Sequence, residues 1–400
     1  MGFLYIDAEG KERNRHSYSA GLEFDSCPYK YWLHRVQGWR EKDSKAATLF
    51  GQALESAIQF YHQTGGRMGE EEFIRLWTMQ KDKVLVYTKK EVNWEGLMRA
   101  GREMMRLYII RQPSLPIPMD TIFQRNFTKE VFPGDPRFGG IEFFAKMDMI
   151  VHVDPCHPML TPVEWKPENG IFRKAIGDIK TSGIDLDSST GIVKHDMQLR
   201  MYSWACGIYD VFFLWFKKSP HGLKKKYSVT LLADAGSFKA GEEAVVASVE
   251  EGGCFLVRND LMLKEMSKAQ GYKENGKLDT TKAATLRAQE WREQNAVLVP
   301  FESISRQRLQ FSSAIIPKKS AEDAGHIVAD QIVRIVNAWE SNRWTNTFSV
   351  RYPHDDRRDP YFKAFILQDQ PFRDSMFEQT AEEDLNDYFD EPDEAEETEE

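Results

Sequence analysis

The chain of 400 residues is poor in the features that announce a compartment or a cofactor. Its four cysteines, Cys27, Cys156, Cys206 and Cys254, form no C-x-x-C pair and no Cys/His cluster at metal spacing, which excludes a disulfide framework and a zinc finger. No stretch approaches the roughly 18 consecutive apolar residues of a membrane span. The opening MGFLYIDAEGKERNRH lacks the basic-then-apolar order of a signal peptide, so a cytoplasmic protein with free thiols and no membrane partner is expected. No Walker motif GxxxxGKS/T is present, and any ATP-driven motor would be another protein. There is no internal repeat.

Basic residues are missing from one stretch above all. Thirteen acids and no Lys or Arg lie between Glu378 and Glu400; the formal net charge is −9, and without that run the first 377 residues carry +4. Such a like-charge run buries no apolar surface and is expected to be disordered. It reads as a solubility tail, a competitor for a basic groove, or a partner hook built on Leu385, Tyr388 and Phe389. The remainder, at 41% hydrophobic and 12% aromatic overall, has the composition of a globular protein with one large domain or two interleaved ones.

Periodicity divides that remainder. Helical spacing runs from about Ala46 to His62, with Leu49, Phe50, Ala53, Leu54, Ala57, Ile58 and Tyr61 on one stripe and Glu55 off it. Further helices are expected near 71–84 and 92–111, before the three prolines of QPSLPIP. The segments TIFQRNFTKEVF, GGIEFFAKMDMIVHV and the one containing GDIKTS read as a meander of strands, followed by a helix in KHDMQLRMYSWACGIYD and strands in DVFFLWFKK and KKYSVTLLA. Beyond about 240 the pattern is mostly helical, with helices expected at 281–296 and 319–341. This order implies an α/β fold with a central mixed β-sheet flanked by helices.

Two triplets of the form acid-x-Lys stand out, Asp178-Ile179-Lys180 and Glu164-Trp165-Lys166. Residues two apart on a strand project from the same face, so in each triplet a carboxylate and an ammonium sit side by side. That pair suits phosphodiester hydrolysis, because the carboxylate can hold a divalent cation while the ammonium orients water or offsets phosphate charge. A lone triplet is also common on solvated edge strands. Asp148 adds weight, since AKMDMIV is otherwise apolar and a lone buried carboxylate is costly unless paired or metal-bound. Glu55, Asp148 and Asp178 with Lys180 could converge as a Mg²⁺ or Mn²⁺ site of hard oxygen donors.

Over roughly residues 17 to 216 the motifs resemble, in order, the RecB-like branch of the PD-(D/E)XK nucleases. YSAGLEFDSCPYKYWL is similar to that branch's serine-led opening helix with its Cys-Pro-aromatic turn. GQALESAIQFYH is similar to its glycine-led helix, whose acidic or histidine position matches Glu55. IEFFAKMDMIV resembles the strand of the metal aspartate, here Asp148, GDIKTS the acid-x-Lys strand, and QLRMY the helix whose glutamine and tyrosine match Gln198 and Tyr202.

The resemblance implies a restriction-endonuclease-like core with N- and C-terminal helical additions. The segments would be 1–115, helical and contributing Glu55; 116–235, the nuclease core; 236–377, mainly helical; and 378–400, the acidic tail. It favours the DIK triplet over EWK, because only Asp178-Ile179-Lys180-Thr181 leads into Gln198 and Tyr202, and EWK becomes a hairpin insertion. It implies Glu55, Asp148 and Asp178 as ligands of Mg²⁺ or Mn²⁺, Lys180 as the catalytic lysine, and Gln198 and Tyr202 as positioning residues. Cys27 matches the first cysteine of iron–sulfur relatives, but Asn342 to Asp369 contains none, so no cluster is expected and helix packing must join the two ends.

The implied activity is a metal-dependent DNA nuclease, an exonuclease on single strands or duplex ends, in repair, recombination or viral DNA processing. A helicase, recombinase or single-strand-binding protein is a possible partner. RNA cleavage, and the same fold kept as an inactive DNA-binding or assembly module, stay open as alternatives. Lys194, Arg200, Lys217, Lys218 and Lys224 to Lys226 are candidate phosphate contacts.

Overall fold

The computed structural model describes residues 2–81, 83–87, 93–166, 170–182, 186, 191–217, 268, 270–287, 309–347 and 359–379, with backbone alone at 228–231, 254–258 and 297–300. The elements that build the site are, in chain order, β1 (Arg15–His16), α1 (Tyr18–Ser26), α2 (Ala46–Gln63), α3 (Gly69–Thr78), α4 (Trp94–Arg111), β2 (Ile122–Glu130) and β3 (Glu142–Val153). They continue with β4 (Arg173–Ser182), α5 (Met197–Cys206), β5 (Asp210–Lys217), β6 (Leu309–Ile315) and α6 (Lys318–Ser341).

The fold is mixed α/β around a six-stranded sheet in the order β6-β5-β4-β3, with β2 and β1 both paired to β3. Strands β2, β3 and β4 form the expected antiparallel meander, while β5 runs parallel to β4 after the α5 crossover and β6 closes the far edge antiparallel. Strand β4 is buried from Ala175 through Ile179, as a central strand with helices on both sides must be. One core gathers Phe24 of α1, Leu199 and Met201 of α5, and Val328 and Ile332 of α6 against Ile176 and Phe213. The other gathers Phe50 of α2, Phe73 and Trp77 of α3, and Met105 and Tyr108 of α4 against Ala175, Ile179 and Phe212. Phe50 meets Phe73 and Trp77 edge-on at 5.7 and 5.8 Å, the arrangement that ring quadrupoles favour.

The pairing of β3 matters most for function. Its Met149 to Val153 half pairs with Gly177 to Arg173 of β4. At its start, Glu142 and Phe143 pair in parallel with Arg15 and His16 of β1, while the same two residues face Glu130 and Lys129 of β2 on the other edge. Strands β1 and β4 therefore share one edge of β3. Between Phe143 and Met149 that edge pairs with no strand among the described residues, and the sheet opens there.

Several expectations change. The sheet is not confined to residues 116–235: it takes β1 from upstream and β6 from far downstream. The region 236–377, read as mainly helical, also contributes β6 and the strands Cys254–Arg258 and Val297–Pro300, the first of which lies between the second and Ser228–Leu231. Helix 71–84 is shorter than expected, ending at Thr78, and of 281–296 only 282–287 is described as helical.

The two ends do meet. Cys27 and Leu33 pack with Tyr361, Ala364 and Phe377, Lys30 pairs with Asp359 at 2.9 Å, and Phe377–Gln379 adds a strand to Trp39–Glu41. The acidic run beyond Gln379 lies outside the described residues. Among the described residues no helix is long and apolar enough to cross a membrane.

Candidate active site

Strand β4 enters the site through a glycine that nothing larger can replace without movement. A Cβ on Gly177 would lie 2.3 Å from Phe212 Cζ and 2.6 Å from Met149 Cγ, so close approach of β3, β4 and β5 requires glycine there. The next residue, Asp178, is only 2% exposed, and Lys180 lies beside it on the same face. Lys180 Nζ donates to Asp178 Oδ1 and to Gln198 Oε1, each at 3.0 Å. Gln198 Nε2 in turn donates to the Tyr202 hydroxyl at 2.8 Å. Asp196 sets this geometry by capping α5: its Oδ1 accepts the Leu199 N–H at 2.9 Å, which places Gln198 in the first turn and Tyr202 one turn later on the same side.

The other carboxylates arrive from separate elements. Asp148 Oδ2 accepts the Ile179 N–H at 2.7 Å, a side chain standing in for strand pairing at the point where β3 leaves β4. Glu55 reaches in from α2, hydrogen-bonds with Asp148 and accepts from Gln124 Nε2. Gln124 sits within β2 at φ +52°, a conformation uncommon for a side chain larger than glycine's, in a register gap opposite Asp148. All six residues singled out in the sequence thus form one connected group. Gln124 and Asp196 were missed: nothing local in TIFQRNF marks the first, whereas an aspartate directly before the helical run MQLRMY is an N-cap signal for the second.

The PD-(D/E)XK nuclease superfamily profile matches residues 15–208, the span that holds every residue of this group. Residues 15–208 are a PD-(D/E)XK nuclease superfamily domain. No curated protein matches the chain. A solved structure described as "Crystal structure of SSO0001" aligns at 11% identity with a TM-score of 0.19, covering 49% of this chain and 70% of that one, a likeness too slight to carry an argument.

PD-(D/E)XK nucleases typically use divalent metals, and the electrostatics of this domain can be tested for fit to one. Burial, then the charge of Asp148, pushes the Asp178 carboxyl up to about 8. Burial and then Glu55 push Asp148 up to about 8, and burial followed by Asp178 pushes Glu55 up to about 7. Burial opposes the Lys180 ammonium, but Asp178 and Asp148 outweigh it and hold its pKa above the usual value. Three carboxyls that resist ionising together, with one ammonium among them, are short of positive charge.

Asp178 Oδ2 is buried and accepts no hydrogen bond among the described residues, although Lys180 Nζ lies 2.8 Å away at an unsuitable angle. Hard oxygen donors with an unsatisfied lone pair fit Mg²⁺ or Mn²⁺. Among the described residues no three His, Cys, Asp or Glu side chains already stand as a cage, since Glu55 is turned toward Gln124 and Asp148.

The remaining candidates separate from this group. Glu164 and Lys166 are exposed in the connection between β3 and β4 rather than on a strand. Arg200 donates from Nε and Nη2 to the Ser320 carbonyl at 3.0 and 2.8 Å, tying α5 to the start of α6. Lys217 is 7% exposed. Both are structural positions rather than open phosphate contacts. Lys194 is exposed, and Lys218 and Lys224 to Lys226 lie outside the described residues.

Proposed function

We propose that the protein is a metal-dependent DNA nuclease that hydrolyses phosphodiester bonds, acting as an exonuclease on single strands or duplex ends in repair, recombination or viral DNA processing. The observation that carries this reading is Lys180, its Nζ held between Asp178 and Gln198 and its pKa raised, beside two further carboxylates. Asp148 and Asp178 would hold Mg²⁺ or Mn²⁺, with Glu55 as a further direct or water-mediated ligand. When bound, such an ion supplies Lewis acidity toward the scissile phosphoryl group and its attacking water.

Lys180 keeps its proton on Nζ at neutral pH and acts as a cation and donor, orienting water and offsetting charge that develops on the phosphate. Gln198 fixes Lys180, and the Tyr202 hydroxyl, whose pKa burial drives upward, stays protonated and can donate onward. Asp148, tied to the Ile179 N–H, keeps the two acidic strands in register at the reacting centre.

Purified protein with Mg²⁺ or Mn²⁺ and end-labelled DNA tests the reading. Wild type should degrade linear DNA and spare closed circles, with little action on matched RNA, and Lys180→Ala should be inactive. Hydrolysis unchanged in Lys180→Ala, or no hydrolysis by wild type across metals and substrates, overturns it in favour of a binding or assembly module.

A further inference from the structure

The opening in the sheet leads out of the site. Along β3, Phe143, Ala145 and Met147 are fully buried, while Phe144, Lys146 and Asp148 alternate with them on a partly buried face. Beside the unpaired edge of β3, Glu142, Phe144 and Lys146 line a cavity of about 470 Å³ that is also walled by the β1-to-α1 turn and by Gln198 and Tyr202. That volume lies within the roughly 300–1,000 Å³ of clefts that take one small ligand. It is small for a base pair with its stacked neighbours.

The chemistry along this lining is graded. Asp148 lies two residues further along β3, outside the cavity lining, and the Lys146 side chain makes no hydrogen bond or ion pair with a described residue, although its charge is felt at Glu55. Next, the Arg15 guanidinium lies 5.7 Å from the centre of the Phe144 ring and 3.6 Å from Glu142, forming a cation–aromatic platform. Tyr18 flanks the cavity from α1, partly buried. Arg13 and Arg35, at the far wall, are engaged by Asp7 and Glu23.

We propose that this groove seats one unstacked nucleotide of a single nucleic-acid strand next to the scissile bond, with Lys146 on its phosphate and the Arg15–Phe144 platform and Tyr18 against its base. The assignment rests on the nuclease reading for what happens at Asp148 and Asp178, but the seat binds without cutting. A base in a duplex has both faces covered, whereas a platform of this kind offers its face to a splayed base. Lys146 stands two residues from Asp148 on the same face of β3, a strand repeat away, which sets its ammonium beside the reacting centre rather than in it.

The test uses the full chain in EDTA, where no cutting occurs, with fluorescein-labelled oligothymidylate read by anisotropy across a KCl series. Lys146→Gln should weaken binding and lower the salt slope by about 0.7, the share of one single-strand phosphate, while Lys146→Arg restores both. Phe144→Ala should weaken binding about tenfold or more with no change in slope. An oligonucleotide carrying one 4-thiothymidine should photo-crosslink to the peptide containing Tyr18 or Phe144.

Failure of wild type to bind, variants that bind like wild type with unaltered melting curves, or a crosslink elsewhere overturns the proposal. Because all three are read without metal, a protein that binds here but never cuts refutes the nuclease reading alone. One that cuts with unaltered Lys146→Gln and Phe144→Ala binding refutes only the seat.

Discussion

Glu164-Trp165-Lys166 and Asp178-Ile179-Lys180 have the same form, and the structure puts them in opposite environments. The first lies exposed in a connection without strand pairing. The second lies on a strand buried between two cores, with Asp178 2% exposed and a second carboxylate bonded to the backbone within the triplet. An exposed carboxylate–lysine pair is worth about 0–1 kcal/mol and is screened by salt. Desolvation together with Glu55 and Asp148 turns the buried pair into a site that favours protons or cations. The triplet is therefore only a potential, and burial with enforced like-charge neighbours gives it chemistry.

The largest contrast should appear in hydrolysis. Asp178→Asn and Lys180→Ala are each expected to reduce the rate at least about a hundredfold in a labelled-DNA assay. Glu164→Gln and Lys166→Ala should stay within about twofold, as exposed substitutions do. The reverse result would exchange the two triplets. Gln198→Ala should cost about ten- to a hundredfold, as removal of a supporting contact does, with Tyr202→Phe milder. Equal rates for both variants and wild type would detach α5 from the site.

A smaller effect is expected in thermal melts of metal-free protein. The three carboxyls ionise near their ordinary values, about 4, in the unfolded chain. Their folded values lie at about 8, 8 and 7, so between pH 4 and 8 the native state holds more protons. Their contribution is complete below that window and is lost as pH rises through it. The melting temperature should fall toward pH 8, Asp178→Asn should flatten the fall, and Mg²⁺ or Mn²⁺ should raise the melting temperature more at high pH than at low. A pH profile of Asp178→Asn superimposable on wild type would remove this account.

The smallest contrast sets two glycines against each other. Gly177→Ala forces a Cβ against Phe212 and Met149 and should cost roughly 1–3 kcal/mol by denaturant unfolding. Gly170→Ala, at φ +95° with nothing within 4 Å, should cost about 1 kcal/mol from backbone strain alone. Equal losses would mean that the strand and the loop are not packed as differently as their triplets require.

Much of the fold is legible in the chain because its signals are local. Helix α2 runs Ala46–Gln63 where the apolar stripe runs to His62, and α6 begins one residue before its expected start. Strand β3 alternates as its sequence alternates. Features carried by distant pairing left no such mark: β6 joins the sheet nearly a hundred residues after β5, and the short strands CFLVR and VLVP of 236–377 are apolar runs too brief to separate strand from helix by period. Lys217 looked like a surface cation, but it closes the run DVFFLWFK inside the sheet, where a long apolar stem can be covered.

The site divides along the same line. Period-two geometry alone places Asp178 beside Lys180, and helical spacing alone stacks Gln198 and Tyr202, because each needs only neighbouring backbone. Which triplet becomes buried, where Glu55 turns, and how Gln124 comes to face Asp148 depend on the parting of β3 from β4 and on α2 reaching across the sheet edge. Those contacts join residues far apart in the chain, so they exist only once the sheet has closed and removed water from the carboxylates.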